Sequence, residues 1–228
     1  MKLTWLGHGS WRLDIEDQVL LIDPWLDGNP MMEGQDAAAA TAGATHILAT
    51  HGHFDHVNGL AALSKDAGVP VSGMVELHGH LTGAGAVAGH GFNKGGTITL
   101  GAVRVAMVPA SHSSSIGEKG FYAGDPTGFM ITGEGKTLYF SGDTGIMADM
   151  EWMGDLYKPE IGILCAGGYY TMGMEEAAYA AKRYFNFKTV IPQHYRTFPA
   201  LEQSADALKA GLPGVDVREP EVMTAIEP

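Results

Sequence analysis

The chain has 228 residues, of which 45% are hydrophobic, so it can bury the core of one large domain or of two small ones. Its 14 Lys and Arg against 26 Asp and Glu give a formal net charge of −12, which argues against nucleic acid and anionic membranes as partners. The one cysteine cannot form a disulfide within the chain, and no apolar stretch resembles a signal peptide or a membrane span. We therefore expect a cytoplasmic protein.

Short apolar runs, several rich in β-branched residues and separated by turn residues, predict many β-strands. In chain order, strands are predicted at residues 2–6, 19–23, 46–50, 70–73, 97–100, 103–109, 128–132, 137–141, 161–166 and 188–192. Helical patterns fall at residues 57–66, 147–157, 174–185 and 200–210, the last with Gly211 as its C-terminal cap. Two runs of strands, each followed by helices, indicate two packed sheets with helices outside.

The segment HGHFDH, residues 51–56, concentrates three imidazoles and one carboxylate between a predicted strand and a predicted helix. His51 and His53 are two residues apart, so on an extended segment their side chains point the same way and can meet at one ion. Asp55 and His56 follow at a turn and point to a second centre. This donor set suits Zn, Mn or Fe. The alternative, a solvated histidine-rich loop, explains a lone HxH better than it explains this cluster.

Three further apolar strand patterns end close to a residue that can bind metal. These residues are His112, Asp143 and His194. One such case means little, but three cases together with the HGHFDH segment predict a single rim built from strand ends. A second HGH, with His78 and His80, lacks a following Asp-His pair, and we interpret its spacing as a coincidence.

The motifs HGHFDH, SHSS, SGDTG and IPQHYRTFP, in this order and spacing, resemble those of the metallo-β-lactamase superfamily. The segments TWLGHGS, LIDPWLDGNP, NKGGT, TMGMEEA and HYRTFP resemble a branch of small metal-dependent hydrolases akin to ascorbate-6-phosphate lactonase. The resemblance spans nearly the whole chain. It implies a single α+β domain over residues 1–228, a four-layered αββα sandwich in which two mixed sheets pack face to face with helices outside.

The resemblance also implies two divalent metal ions per chain, Zn first, with Mn or Fe as alternatives. The implied ligands are His51, His53 and His112 for the first metal, Asp55, His56 and His194 for the second, and Asp143 as a bridge between both. Asp55 and His194 are the candidate catalytic residues, and Asp55 is a candidate both for metal binding and for proton transfer.

Four more residues are candidates for supporting the metal ligands or for binding substrate. Asp23, in LIDP, matches a position that supports the metal loop, although it also begins a turn before a proline. His8, in LGHGS, matches a position near the site, with a simple turn role as the alternative. Arg196 can bind a carboxylate or phosphate bidentately or form a surface ion pair. Tyr170 either lines the pocket or packs elsewhere.

Two metals about 3.5–4 Å apart share a water molecule and lower its pKa towards about 7. The resemblance thus predicts a hydrolase in which a metal-bridging hydroxide cleaves an ester, lactone or phosphodiester bond of a small molecule, and it leaves open an anionic substrate and a homo-oligomer.

One alternative is a phosphodiesterase or nuclease of the same superfamily. The acidic charge disfavours a nuclease, as do the 51 positions from Asp143 to His194 (194 − 143), which leave no room for a cap domain. The other alternative is a metal-binding protein without turnover.

Overall fold

The computed structural model describes residues 1–228 and contains two seven-stranded mixed sheets. The first sheet consists of β1 (Lys2–Trp5), β2 (Trp11–Ile15), β3 (Gln18–Ile22), β4 (His46–Ala49), β5 (Val71–Met74), β6 (Ala88–Phe92) and β16 (Ala225–Ile226). Its strand order is β16-β1-β2-β3-β4-β5-β6. The pairs from β16 to β3 are antiparallel, and those from β3 to β6 are parallel.

The second sheet has the same division into an antiparallel and a parallel half. It consists of β7 (Thr97–Leu100), β8 (Val103–Pro109), β11 (Thr127–Gly133), β12 (Lys136–Phe140), β13 (Ile161–Cys165), β14 (Thr189–Gln193) and β15 (Asp216–Val217). Its strand order is β15-β14-β13-β12-β11-β8-β7, parallel from β12 to β15 and antiparallel elsewhere. A separate short hairpin, β9 (Ser115–Ile116) with β10 (Phe121–Tyr122), leaves the end of β8.

Seven α-helices and one 3₁₀ turn (Pro30–Met32) connect the strands. The helices are α1 (Ala37–Thr41), α2 (Phe54–Val57), α3 (Leu60–Ala67), α4 (Val75–Gly83), α5 (Met150–Tyr157), α6 (Met174–Tyr184) and α7 (Asp206–Gly211). In α6, acidic residues occupy the first turn and basic residues the last, which complements the helix dipole. None of the helices is both long enough and apolar enough to cross a bilayer.

One hydrophobic cluster of 55 buried residues joins the two sheets. Trp5 and Trp11 enter it from the first sheet, with ring centroids 6.4 Å apart, and Phe129 and Phe140 enter it from the second. Every residue of β4, β13 and β14 is buried, as expected for parallel strands covered on both faces. The two sheets therefore share a continuous core.

The structure corrects several predicted elements. The helix predicted at residues 57–66 begins earlier, at Phe54, and divides into α2 and α3 because Gly59 adopts a positive φ of 74°. The helix predicted at residues 200–210 is only the short α7, and Gly211 is its last helical residue rather than its cap. The helix predicted at residues 147–157 begins at Met150. The sequence prediction missed helices α1 and α4 and the strands β2, β6, β9, β10, β15 and β16.

Candidate metal centre

The ends of the strands bring the candidate residues to one edge of the double sheet. The HGHFDH segment follows β4, with Asp55 and His56 on α2, while His112 follows β8, Asp143 follows β12 and His194 follows β14. Because parallel strands place their carboxyl ends at the same edge, these loops meet. The structure thus brings together all seven side chains that the sequence nominates as ligands.

Asp143 lies at the middle of this group and is only 2% exposed. Four imidazole nitrogens surround its Oδ2 atom: the Nε2 atoms of His194 at 3.0 Å, His56 at 3.4 Å, His112 at 3.6 Å and His51 at 3.8 Å. The convergence of four imidazoles on one buried carboxylate oxygen is a donor arrangement typical of a metal centre.

The donor atoms divide into two main groups on either side of Asp143. His51, His53 and His112 form one group, and His8, Asp55, His56 and His194 form the other, with ligand atoms within 4.8 Å of one another in each. Asp23, His51 and His56 also meet that distance, although both Asp23 oxygens already accept hydrogen bonds. The side chains of either main group could hold a metal ion.

Asp23 orients the imidazole of His56 directly and that of His51 through Thr50. Its buried carboxylate accepts hydrogen bonds from the Thr50 backbone N–H at 2.8 Å, the Thr50 hydroxyl at 2.5 Å and His56 Nδ1 at 2.8 Å. Since the Thr50 hydroxyl donates to Asp23, its oxygen is free to accept from His51 Nδ1 at 2.9 Å. Both histidines therefore carry the Nδ1 proton outward and turn Nε2 towards Asp143.

His8 holds the carboxylate of Asp55. His8 Nε2 lies 2.8 Å from Asp55 Oδ2, and His8 Nδ1 lies 2.9 Å from the hydroxyl of Thr197. Burial lowers the pKa of His8 to about 4, with the nearby His194 adding to the effect, so the ring is neutral at pH 7. A neutral His8 that donates from Nε2 to Asp55 accepts from Thr197 at Nδ1.

The backbone is strained or tightly packed at these supports. His8, Asp23 and His194 have positive φ values of 52°, 46° and 59°, a region that non-glycine residues seldom occupy. Gly9 lies against the His56 ring, where a Cβ atom would come within 2.7 Å of Cε1. Such conformations persist only where surrounding contacts fix them, and here those contacts are the ones that aim the donors.

Electrostatics within the group follow from burial and from mutual attraction. Burial by itself would raise the pKa of Asp143, but His194 and His56 beside it hold that pKa well below the ordinary value. Burial would lower the pKa of His194, yet Asp143 and Asp55 raise it to about 9. In metal-free protein, protons on His56 and His194 therefore compensate the negative charge of the buried carboxylates. Bound cations would compensate the same charge.

Buried polar atoms that lack a protein partner test whether the site fits a metal. His56 Nε2 and Asp143 Oδ1 are both buried and have no hydrogen-bond partner, and His56 Nε2 lies 3.4 Å from the other Asp143 oxygen. Buried atoms of this kind destabilise a protein unless something binds them. The donor set of imidazole nitrogens and carboxylate oxygens suits Zn, Mn or Fe, so the residues present fit divalent metal ions.

A cavity of about 1040 Å³ opens beside the donor group. Tyr170 lines it, together with His53, Asp55, His112 and Asp143. The structure places the Arg196 guanidinium elsewhere, over the rings of Trp5 and Tyr195 at 5.2 Å and 3.6 Å from a Glu221 carboxylate oxygen.

The second HGH lies on α4, outside the donor group. His80 there contacts the backbone oxygen of Tyr122 at 3.0 Å. Sequence reasoning missed Thr50, Thr197 and Phe54 as part of the site. Thr50 stands next to a nominated motif, and Phe54 and Thr197 lie inside nominated motifs, but the sequence carries no signal of their contacts.

Comparison with known proteins identifies the family. Residues 18–195 match the family model of the beta-lactamase superfamily domain, a span that contains all seven nominated ligands. The chain belongs to the metallo-β-lactamase superfamily. Within it, the chain belongs to the family of the UPF0173 metal-dependent hydrolases. It is 61% identical to such a protein from Ruegeria sp. (strain TM1040) and 60% identical to one from Ruegeria pomeroyi, each match covering 100% of both chains.

A solved structure agrees with this membership. Igni18, a metallo hydrolase from the hyperthermophilic archaeon Ignicoccus hospitalis, superposes with a TM-score of 0.84 and 31% identity. The match covers 99% of this chain and 98% of that one. The superfamily and the αββα fold predicted from the sequence are therefore confirmed. The closer kinship to ascorbate-6-phosphate lactonase stays a prediction.

Replacing Asp23 tests the support behind the imidazoles. In the Asp23→Ala variant, Thr50 and His56 lose their shared acceptor inside the protein, so we expect a loss of about 3–5 kcal/mol in the free energy of unfolding of metal-free protein. Urea unfolding measures this loss. The exposed Asp27→Ala variant is the matched control and should change the same quantity by less than about 0.5 kcal/mol. Equal stabilities for both variants would contradict the support role.

The raised pKa of His194 predicts a pH dependence of stability in metal-free protein. A folded-state pKa of about 9 lies above the ordinary 6.5, so the stabilisation is complete below pH 6.5 and is lost as pH rises through 9. We expect the free energy of unfolding in a chelator to fall by about 3 kcal/mol between pH 6.5 and 9.5. The Asp143→Asn variant lacks the main cause and should fall less. Stability that is constant or rising over this window would contradict the assignment.

Proposed function

We propose that the protein is a hydrolase with two divalent metal ions that cleaves an ester, lactone or phosphodiester bond of a small molecule. The single observation that carries the proposal is the convergence of four imidazole nitrogens on Asp143 Oδ2 at 3.0–3.8 Å. Membership in a family of metal-dependent hydrolases supports it. Zn is the proposed metal, with Mn or Fe as alternatives.

In the proposed centre, each side chain has one role. The proposed ligands are His51, His53 and His112 for one ion, Asp55, His56 and His194 for the other, and Asp143 for both. When bound, the ions supply a water nucleophile of lowered pKa and a Lewis acid for the oxygen of the substrate.

The chain's own residues prepare the centre for that chemistry. Asp23 and Thr50 orient the rings of His56 and His51, so the Nε2 atoms of both rings face Asp143 before any ligand arrives. Burial would raise the pKa of Asp55, but His194 at 3.6 Å and the hydrogen bond with His8 hold it below the ordinary value. Asp55 is therefore ionised throughout the working pH range. We assign it mainly to metal binding, since proton transfer near neutral pH favours a more basic group.

The cavity disfavours the nuclease alternative. Its lining includes the carboxylates of Asp55, Glu118 and Asp143 but no Lys or Arg. A nucleic-acid backbone is held chiefly by cationic side chains, so this cavity offers a polynucleotide little beyond the centre itself.

Metal content and hydrolysis, measured on the same preparation, test the proposed function. We expect two metal ions per chain and turnover of a generic ester, lactone or phosphodiester. The His53→Ala variant should lose metal and at least about 100-fold in activity, because a lost ligand costs more than a lost ligand support. His80→Ala, which changes the second HGH in the same way, is the matched control and should keep both.

Two results would contradict the proposal. A His53→Ala protein with full metal content and full activity would show that the centre is assigned to the wrong residues. Stoichiometric metal without turnover across the whole panel would favour a metal-binding protein that is not an enzyme.

A further inference from the structure

Apolar side chains form much of the lining of the cavity beside the donor group, and we call this apolar part the wall. Helices α2, α3 and α4, the β9 strand and the segment after His194 contribute to it. The apolar lining residues include Phe54, Val57, Ala61, Ala62, Leu81, Ile116 and Phe198. Clefts of several hundred Å³ with such walls typically bind the apolar body of a small molecule and leave orientation to a few polar groups.

Phe54 is the most unusual of these residues. It stands between the nominated ligands His53 and Asp55, yet its side chain is 65% exposed. Its ring packs edge-on against Trp25, with centroids 5.7 Å apart and an interplanar angle of 77°. A large aromatic side chain that is held in place and left exposed beside polar donors is a surface prepared to cover an apolar group.

No side chain of this wall would attract an anion. The lining contains neither Lys nor Arg, and Glu118 adds a negative charge. Arg196, the cation that the sequence suggests for this place, packs over Trp5 and faces Glu221 instead. Away from metal ions, phosphate and carboxylate groups are commonly bound by Arg or Lys, and this wall offers neither.

We infer that the substrate is an uncharged ester or lactone with a hydrocarbon chain or ring, whose apolar part packs on Phe54, Ile116 and Phe198 while its carbonyl group faces the Asp143 cluster. This inference rests on the proposed hydrolase function and narrows it, because it excludes phosphodiesters. In the reaction, the acyl carbon–oxygen bond breaks. The hydroxyl of water goes to the acyl carbon and its proton to the leaving oxygen, which yields a carboxylic acid and an alcohol.

Binding to metal-free protein tests the inference independently of turnover. Two probes share an eight-carbon chain and differ in charge: octanamide, an uncharged analogue that resists hydrolysis, and octyl phosphate. By calorimetry at pH 8, we expect octanamide to bind at least about tenfold more tightly than octyl phosphate. Equal or tighter binding of octyl phosphate would overturn the inference.

Substitutions in the wall locate the binding. Phe54→Ala should weaken octanamide binding about tenfold, because it removes much of the apolar surface that covers the chain. Ala62→Lys places a cation in the wall and should strengthen octyl phosphate binding about tenfold. Ala67, exposed on the same helix α3 and outside the cavity, provides the controls Ala67→Leu and Ala67→Lys, which should change neither affinity. Unchanged affinities in both Phe54→Ala and Ala62→Lys would place the probe elsewhere and overturn the inference.

The two proposals fail separately. A protein that binds octanamide in the expected pattern but hydrolyses no ester refutes the hydrolase function and supports the uncharged, apolar ligand. A protein that hydrolyses phosphodiesters and prefers octyl phosphate supports the hydrolase function and overturns the substrate class.

Discussion

A buried carboxylate surrounded by imidazole nitrogens is the constraint on which the rest of this structure depends. Asp143 is nearly inaccessible to water, and one of its oxygens has no protein donor. Protein groups alone leave several of the surrounding lone pairs unpaired, and unpaired polar atoms are costly in a buried setting. Protons on His56 and His194 compensate part of the buried negative charge, and divalent cations compensate more of it. The fold is the frame that keeps these donors close.

The two sheets bring the donor loops together by the same arrangement of strands. Each sheet is antiparallel in one half and parallel in the other, and the loops that carry the donors leave the carboxyl ends of strands at one edge. The continuous core of 55 residues fixes the sheets against each other. Strain at His8, Asp23 and His194 is tolerated because it lies at the ends of these rigid strands and is balanced by packing in the core.

Much of the fold and of the site can be predicted from the sequence, because both depend on local patterns. The strands that precede His51, His112, Asp143 and His194 are short apolar runs followed by polar residues, which single-sequence reasoning recognises. Spacing also separates the HGHFDH segment from the second HGH, which the structure places on α4 away from the donors. The order of the motifs identified the superfamily.

Other features depend on contacts between distant segments and carry no local signal. The guanidinium of Arg196 follows a metal-site motif, but its direction is set by the rings of Trp5 and Tyr195. The split between α2 and α3 depends on one glycine conformation at Gly59. Strand β2 is different, because the alternating apolar residues of WRLDI are a local signal that the sequence prediction missed.

The centre and the wall have different roles in the proposed function. Residues around Asp143 are fixed by buried hydrogen bonds, and any change there disturbs the whole group. The wall residues Phe54, Ile116 and Phe198 lie on a short helix, a hairpin and a loop, where residues that contact substrates are commonly found. We therefore expect chemistry to be set by the strand ends and substrate choice by the wall.

Anomalous diffraction from crystals of metal-loaded protein tests the central claim most directly. The account predicts two peaks about 3.5–4 Å apart on either side of Asp143, one next to His51, His53 and His112 and the other next to Asp55, His56 and His194. A single peak, or peaks at other histidines such as His78 and His80, would contradict it.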